Sequence, residues 1–353
     1  MVWYPISDGG ITVVIEPLKN SNIYDYIFKK IRDWYASEKL CVLNLVTTPY
    51  NTSLILIDLI KELISQNKNI LYITNKDEKN IEVLKHIKRE KIFKSYSYFR
   101  SGDNNISANI IFTSHENALY FNKSVDIIIY DDIEGYSPYS KVEIQELLNY
   151  LYKYSPKIIA YSIEPIFLNT TAIDVPCIKG NCPITEPRFL STRIDLKKDI
   201  PYMMYEYLTW FTTLNRKVVI YTPNEESSDR IYEYLLALKE NLNTLIHRFR
   251  GNKKDRNLEY LLKSRDVSVI VVTNDYEDYF ESLSNLDIIV YNSEHRNFDY
   301  KKIVYFCGKV GLFNSKTKGE VLLLANEITT EMEKAKDITR RYNILAWERG
   351  FLS

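Results

Sequence analysis

The sequence predicts an α/β protein built from two successive domains, each containing a parallel β-sheet. Short apolar runs rich in β-branched residues alternate with segments of helical period, which is typical of βαβ units. This alternation is interrupted by a proline-containing segment from Asn169 to Arg188 and then resumes. The length of 353 residues suffices for two domains with separate cores.

The first half contains a series of predicted buried strands with helices between them. The predicted strands are Val42–Val46, Asn69–Thr74, Asn109–Thr113, Val125–Tyr130 and Lys157–Tyr161. Segments with an amphipathic helical period, Ser53–Gln66 and Glu78–Arg89, are the predicted helices. The segment Asn169–Arg188, which carries Pro176, Pro183, Pro187 and Gly180, reads as a linker or a crossover excursion.

The second half repeats the same alternation. Its predicted strands are Lys217–Tyr221, Ser268–Val272, Asp287–Tyr291 and Val321–Leu324, and its predicted helices are Ser227–Glu240 and Glu331–Trp347. We therefore expect a first domain at residues 1–190 and a second at 191–353, joined near Asn169–Leu196, with a cleft between them.

The charge balance excludes bulk electrostatic attraction to polyanions. Lys and Arg together number 46, as do Asp and Glu, so the formal net charge is zero. Any nucleic-acid binding must then come from local basic patches. Glycine is scarce, at 10 residues, although phosphate-binding loops use glycine to bring backbone N–H groups close to a ligand.

The cysteines predict neither a metal site nor an oxidising compartment. Cys41, Cys177, Cys182 and Cys307 are scattered and form no CxxC pair. Cys177 and Cys182 could form a disulfide or half of a metal site, but no second pair completes a zinc set. We expect a reduced, cytoplasmic chain with no metal ligands, no signal peptide and no membrane span.

The loop after the first strand is a candidate phosphate-binding loop. Val42–Val46 leads into the segment Thr47–Leu54 and then a helix, which is the strand–loop–helix order of such a site. Thr52 and Ser53 carry the hydroxyl groups at its end. The alternative interpretation, which we favour, is an ordinary helix N-cap after a buried strand.

An acidic pair and a basic cluster are the other candidate sites. Asp131 and Asp132 follow the strand that ends at Tyr130, and they are either carboxylates of a functional site or turn residues that cap the strand. The cluster consists of Arg248, Phe249, Arg250 and Lys253, with neighbouring cations. An aromatic ring among cations suits single-stranded nucleic acid, whereas a solvated helix face is the alternative.

The C-terminal motifs resemble those of a known family. Glu294–Phe298, Gly308–Gly311 and Lys318–Leu323 follow one another at the order and spacing of the last motifs of superfamily 2 helicases, specifically the competence DNA-uptake ATPases (ComFA). The resemblance extends from about Val42 to Leu352 and implies two tandem RecA-like domains. It also implies ATP and Mg²⁺ as cofactors if the site is functional.

The resemblance also shows where this chain departs from an active nucleotide site. The family's Gly-x-Gly-Lys-Thr loop falls on Pro49–Ser53, so both glycines and the lysine are absent and Ser53 alone keeps a magnesium-binding hydroxyl. Asp131 keeps the magnesium position, and Asp132 replaces the glutamate that activates water. Thr52 cannot supply the positive charge of the lysine.

The arginines that end the family's motifs are also replaced. The closing Gln-x-x-Gly-Arg-x-Gly-Arg falls on Tyr305–Leu312, so the first arginine becomes Lys309 and the second becomes Leu312. Loss of an arginine finger costs about 10³–10⁵ in rate in characterised NTPases. An arginine–glycine stretch of the family likewise falls on Glu277–Phe280.

The same resemblance implies a nucleic-acid interface. It assigns Thr113 and His115 in the first domain to the strand-binding groove, and Arg248, Arg250, Lys253 and Thr273 in the second. Phe249 would stack on a base if its ring faces the groove. Binding of single-stranded DNA is expected to be weak and to depend on salt.

These observations predict a helicase-like protein of the DNA-uptake type that lacks ATPase activity. It would keep a DNA-binding or scaffolding role, alone or with other DNA-uptake proteins, and would need no cofactor. One alternative is a divergent but active ATP-dependent DNA translocase. A second alternative is a protein-interaction module that uses the surfaces of the abundant tyrosines, which number 29.

Overall fold

The chain folds into two compact units, as the computed structural model shows. The structure describes residues 23–90, 96–102, 108–175, 177, 183–251, 256–264, 267–276, 285–310 and 319–348. Unit 1 comprises the described residues before 182 together with those after 344, and unit 2 comprises the described residues of 182–344.

Unit 1 is built on a seven-stranded sheet in which the paired strands are parallel. The strands are β1 (Val42–Val46), β2 (Ile70–Thr74), β3 (Tyr96–Tyr98), β4 (Ile110–Thr113), β5 (Ile127–Asp131), β6 (Ile158–Ser162) and β7 (Thr171–Asp174). Their order across the sheet is β3-β4-β2-β5-β6-β1-β7. Strand β6 therefore separates β1 from β5, and the loops that follow these strands lie at the same edge of the sheet.

Helices connect the strands of unit 1. They are α1 (Ile23–Ala36), α2 (Ile57–Ser65), α3 (Glu82–Glu90), α4 (His115–Ala118) and α5 (Lys141–Leu151), with 3₁₀ turns at Ser53–Leu56 and Tyr152–Tyr154. Ser140 begins α5 with a capping box, in which its hydroxyl accepts from Glu143 N and the Glu143 carboxylate accepts from Ser140 N.

The core of unit 1 forms because its central strands are apolar on both faces. Strands β2, β4, β5 and β6 are buried along their whole length, as expected for parallel strands covered by helices on both sides. Ile144, Leu147, Leu148 and Leu151 share one face of α5 and pack into the core that the strands form.

Unit 2 contains a six-stranded sheet, again with parallel pairing. Its strands are β8 (Arg188–Ser191), β9 (Lys217–Tyr221), β10 (Leu245–Phe249), β11 (Val269–Thr273), β12 (Leu286–Tyr291) and β13 (Val321–Ala325). The order is β10-β11-β9-β12-β13-β8. The helices are α6 (Tyr202–Thr213), α7 (Glu225–Ala237), α8 (Lys239–Leu242), α9 (Arg256–Lys263), α10 (Tyr300–Lys309) and α11 (Thr330–Glu348).

The predicted fold class is confirmed, and differences occur where strands are short. The predicted strands of both halves are present to within a few residues. The structure adds β3, β7, β8 and β10, which lack a long apolar run. The sequence-based boundary after residue 190 falls inside β8, which pairs with β13 in the sheet of unit 2. Segment Asn169–Arg188 thus contains the edge strand β7 of unit 1.

Two further sequence expectations concern membranes and cysteines. No helix of the described residues is long and apolar enough to cross a membrane. Cys41 and Cys307 are free thiols, and Cys307 is fully buried, which raises its pKa. Cys182 lies outside the described residues, so the proposed Cys177–Cys182 pairing is not tested.

Candidate nucleotide and nucleic-acid sites

The loop after β1 is held in a closed conformation by its own polar groups. Tyr50 adopts a left-handed backbone conformation with φ of 59°, and its N–H donates to the Ile133 carbonyl at 3.0 Å. The Asn51 amide donates to Thr47 Oγ1 at 2.8 Å, and its oxygen accepts from Thr52 N at 2.9 Å. Asn51, Thr52 and Ser53 are all buried. In a glycine-rich phosphate loop, the backbone N–H groups are available to bind phosphate. Here the loop's own polar side chains form hydrogen bonds within the loop.

A carboxylate lies at the end of this loop, where a phosphate-binding loop would hold an anion. The Glu82 Oε2 atom accepts from Ser53 N and from Thr52 Oγ1, each at 2.9 Å. Glu82 is the first residue of α3, so two elements distant in sequence meet here. Because the N–H groups at the start of a helix favour negative charge, an internal carboxylate satisfies this position without a ligand.

The hydroxyl of Ser53 is also occupied by a protein group. Ser53 Oγ donates to Asp131 Oδ2 at 2.5 Å, and Tyr72 Oη donates to the same oxygen at 2.5 Å. Asp131 Oδ1 accepts from Ile133 N at 3.0 Å. Asp131 is buried, and this burial raises its pKa, while the bonds from Ser53 and Tyr72 act in the opposite direction. The residues predicted to bind magnesium are therefore close together, and they bind each other.

A second buried carboxylate, Glu134, lies close to this group. Glu134 Oε1 accepts from Glu82 N at 2.9 Å, whereas its buried Oε2 has no hydrogen-bond partner among the described residues. Burial raises the pKa of Glu134 well above its usual value, and the charges of Asp131 and Glu82 raise it further. The Lys76 charge only partly offsets this rise. The region is thus unfavourable for a further negative charge such as a polyphosphate.

Asp132, the second member of the acidic pair, directly follows β5 at the carboxyl end of the strand. Its side chain is buried, and its backbone N–H donates to the Tyr161 carbonyl at 2.9 Å. Tyr161 in turn donates its hydroxyl to the Thr52 carbonyl at 3.0 Å. The structure therefore brings both aspartates and the loop after β1 into one network.

The residues of unit 1 predicted to contact nucleic acid are buried. Thr113 is fully buried and donates to the Phe99 carbonyl at 3.1 Å. His115 is 5% exposed, with its Nδ1 atom 2.8 Å from Tyr130 Oη and its ring stacked on Tyr139 at 3.6 Å between centroids. Neither side chain presents a polar group to a surface groove.

The two described arginines of the basic cluster in unit 2 are paired with carboxylates. The buried Arg248 guanidinium binds Asp229, Asn274 and backbone carbonyls, with Nε 2.9 Å from Asp229 Oδ1. Arg250 is 64% exposed and pairs with Asp229 and Glu225 at 3.1 and 3.4 Å. Lys253 lies outside the described residues.

The predicted stacking of Phe249 on a base requires its ring to face a groove. Phe249 ends β10 and is only 4% exposed, so its ring packs in the core of unit 2 in this structure. Thr273, which ends the neighbouring β11, is fully buried and accepts from Asp275 N at 2.9 Å. A strand places alternate residues on opposite faces of the sheet, and in this sheet both faces are covered.

Lys309 lies inside unit 2 rather than at a surface. It ends α10, is 1% exposed, and directs Nζ to Tyr221 Oη at 3.5 Å and to the Tyr276 carbonyl at 3.4 Å. Tyr221 and Phe306 stack beside it at 4.2 Å. Lys309 is therefore a structural cation within an aromatic cluster, whereas Gly311 and Leu312 lie outside the described residues.

Sequence reasoning missed the groups that occupy the candidate nucleotide site. Glu82, Tyr72 and Glu134 come from α3, β2 and the loop after β5. Each looks ordinary in sequence, as a helix-start acid, a strand aromatic or a loop acid. A useful signal was available for Glu134, because it lies three residues after Asp131 at the same sheet edge.

The fold, in which two units contain RecA-like parallel sheets, matches the fold of solved helicase structures. Similar solved structures include RecG bound to a three-way DNA junction, with a TM-score of 0.54 at 14% identity over 94% of this chain and 47% of that chain. Dbp5 of S. cerevisiae, bound to RNA and ADP BeF3, gives 0.52 at 10% identity over 93% of both chains. The E. coli DExH-box NTPase HrpB gives 0.54 at 9% identity over 90% of this chain and 42% of that chain.

These likenesses establish the fold alone. The chain spans about half the length of RecG, and all identities are at or below 14%. No protein-family model and no curated protein matches the sequence. The activity must therefore be argued from the residues.

Proposed function

We propose that this chain is a helicase-fold protein without ATPase activity that binds single-stranded DNA in a scaffolding role of the DNA-uptake type. The observation that carries the ATPase part is the Glu82 carboxylate at the end of the candidate phosphate loop, 2.9 Å from both Ser53 N and Thr52 Oγ1. A bound phosphate would have to replace this carboxylate.

The electrostatics of the same region support the proposal. An NTPase neutralises the charge of the phosphates with a lysine, Mg²⁺ and an arginine. Here the loop has no lysine, and the carboxylates Glu82, Asp131 and Glu134 interact with one another. Because Asp131 already accepts from Ser53 and Tyr72, Mg²⁺ would also have to break these bonds.

The DNA-binding part of the proposal rests on the fold and on the resemblance of the C-terminal motifs to the competence ATPases. RecG and Dbp5 were solved with DNA and RNA respectively, so this architecture suits nucleic acid in those proteins. The competence role rests on the order of motifs from Glu294 to Leu323. An active translocase and a protein-interaction module remain the competing hypotheses.

The decisive experiment is a calorimetric titration of the purified chain with ATP and Mg²⁺, together with phosphate release in the presence of single-stranded DNA. We expect no heat of binding and a release rate equal to the background. Robust turnover that is abolished by Asp131→Ala would contradict the proposal and favour the active translocase. A matched Asp77→Asn variant, which changes an exposed carboxylate of unit 1, controls for nonspecific effects.

A further inference from the structure

The segment Glu294–Phe298, the clearest motif of the sequence, forms a fixed turn after β12 in unit 2. Glu294 Oε2 accepts from Asn326 N at 2.5 Å, and Asn297 Nδ2 donates to the Pro223 carbonyl at 2.8 Å. Phe298 is buried, and its N–H donates to the His295 carbonyl at 2.9 Å. These anchors leave His295 and Arg296 at the surface, with Arg296 exposed.

The ring of His295 is set up as a hydrogen-bond donor. The Asn297 N–H donates to His295 Nδ1 at 3.2 Å, so this nitrogen acts as an acceptor. In a neutral imidazole the proton then resides on Nε2. Burial lowers the pKa of His295, and the positive charges of Arg296 and Lys197 lower it further. The local potential around the ring is therefore positive.

The two flanking cations are available for a ligand. Neither Arg296 nor Lys197 forms a side-chain hydrogen bond or an ion pair with any residue that the structure describes. The segment that carries Lys197 is fixed, because the Arg230 guanidinium donates to the carbonyls of Leu196 and Lys197. Tyr291 Oη also donates to the Leu196 carbonyl, at 2.8 Å.

The acidic groups that neighbour these residues in sequence are bound to other groups, although Asp195 also interacts electrostatically with Lys197. Asp195 pairs with Lys198 at 3.2 Å and accepts from Lys197 N at 3.0 Å. Asp299 caps α10 by accepting from Lys302 N at 2.7 Å, and Glu294 binds backbone N–H groups. The contrast with Arg250 is clear, since that exposed cation is paired with two carboxylates.

We propose that Lys197, His295 and Arg296 form a site that binds the phosphodiester backbone of single-stranded nucleic acid. This inference rests on the proposed function and moves the contact from the neutralised Arg248–Arg250 cluster to the turn after β12. Arg296 offers a planar fork that matches phosphate oxygens, Lys197 offers a mobile point charge, and His295 offers a single N–H. The site reads no base, so binding should be independent of sequence.

The test is fluorescence anisotropy with a labelled oligo(dT) at several salt concentrations. Reversal of both cations in the variant Lys197→Glu/Arg296→Glu should weaken binding about tenfold or more at low salt. The slope of log K against log salt should fall by about two, one for each lost phosphate contact. The variant Lys239→Glu/Lys263→Glu, which reverses two exposed cations elsewhere in unit 2, has the same net charge and should bind like the wild type.

A second measurement follows His295 directly by NMR. A phosphate oxygen next to Nε2 stabilises the imidazolium, so oligo(dT) should raise the pKa of His295 in the wild type and leave it unchanged in the double variant. Wild-type affinity that survives in Lys197→Glu/Arg296→Glu would overturn this inference and leave the proposed function intact.

Two other outcomes are equally informative. No wild-type binding to oligo(dT) at low salt would overturn the DNA-binding part of the proposed function as well. Equal affinity for inorganic polyphosphate of matched length would overturn the assignment to nucleic acid, because it would show a general anion site.

Discussion

At the residue scale, the feature that distinguishes this chain is a set of carboxylates where a nucleotide site needs cations. Glu82 accepts the hydrogen bonds that a phosphate would accept. Asp131 accepts a hydrogen bond from the Ser53 hydroxyl, the group that would bind Mg²⁺ in a nucleotide site. Glu134 is the member that remains incompletely bonded, because its buried Oε2 has no partner among the described residues. Buried charge without a partner destabilises a fold.

We therefore expect Glu134→Gln to stabilise the protein above neutral pH. The pKa of Glu134 is raised in the folded state, so the folded protein binds the extra proton more tightly than the unfolded chain does. Stability is then greatest at low pH and falls as pH rises from about 4.3 through the folded pKa. The amide removes this loss, and the gain at pH 8 should be on the order of 1–3 kcal/mol.

Chemical unfolding of both proteins between pH 5 and pH 8 measures the effect. The difference between variant and wild type should grow with pH, because only the wild type ionises a carboxyl group at position 134. Asp77→Asn, which makes the same carboxylate-to-amide change at an exposed position, should show no such trend. A destabilising Glu134→Gln at pH 8 would mean that the ionised carboxylate has a cationic partner.

The basic cluster of unit 2 also shows that the surroundings of a single residue decide what it can bind. Arg248, Phe249 and Arg250 are adjacent in sequence, but the Arg248 and Phe249 side chains are buried within β10, whereas Arg250, just after the strand, is 64% exposed. Arg248 is bound to Asp229 and Asn274 and thereby stabilises the fold of unit 2. A run of cations with an aromatic residue therefore predicts neither stacking nor a free positive patch.

At the element scale, a buried lysine of unit 1 binds the carboxyl end of α1, in addition to the packing of Ile27, Ile31 and Trp34. Lys157, just before β6, directs Nζ to the carbonyls of Trp34, Ser37 and Leu40, at 2.6 Å for Leu40. These carbonyls belong to the end of α1 and the residues after it, where helix carbonyls lack partners. A cation there also complements the helix dipole.

Lys157→Met should consequently destabilise unit 1 by about 1–3 kcal/mol, because the carbonyls lose their donor while the apolar volume is nearly kept. Urea unfolding followed by far-UV circular dichroism gives the measurement. Lys153→Met, at an exposed position over the ring of Tyr150, is the matched control and should cost well under 1 kcal/mol. Equal effects of the two variants would show that Lys157 does not hold α1.

A buried ion pair joins the strands of unit 2 at their amino ends. Arg216, just before β9, binds Asp287 of β12 through Nε and through Nη2, the latter at 2.9 Å, and Glu320 N donates to the same carboxylate at 2.7 Å. Burial raises the pKa of Asp287 to about 6, although Arg216 opposes this rise. Gly319 lies against this pair, and a Cβ there would meet Val310 Cγ1 at 2.6 Å.

At the scale of the whole molecule, each unit has its own sheet and its own apolar core. Chains with two separate cores commonly unfold in more than one step. We expect two transitions in differential scanning calorimetry, one for each unit. Each transition can be assigned to its unit with a variant that changes the stability of that unit alone.

Asp287→Ala leaves Arg216 buried without its partner and should lower the transition of unit 2, at a cost of about 3–5 kcal/mol. Glu134→Gln should raise the other transition at pH 8 and leave this one in place. The double variant Arg216→Met/Asp287→Leu should recover most of the lost stability, since it removes both charges together. If Asp287→Ala lowered both transitions equally, the two units would form a single cooperative structure.

The sequence by itself determined the architecture of this protein. The alternation of apolar strands such as Val42–Val46 and Lys217–Tyr221 with helices predicted two parallel α/β layers, because burial on both faces leaves a continuous apolar run. The sequence also drew attention to the loop after β1 and to the pair Asp131–Asp132 as candidate site residues. The absence of glycine and lysine from the candidate phosphate loop is likewise visible in the sequence.

Only the tertiary structure decided which groups occupy the site and which side chains reach the surface. Glu82 meets Thr52 and Ser53 across 29 to 30 positions of sequence, and Asp131 meets Ser53 across 78. Such contacts depend on strand order and on the direction of each side chain, and local patterns encode neither. The burial of Phe249 and the exposure of Arg296 also depend on strand order and side-chain direction. The type of a residue determines its chemistry, whereas the packed sheet determines which groups that residue can contact.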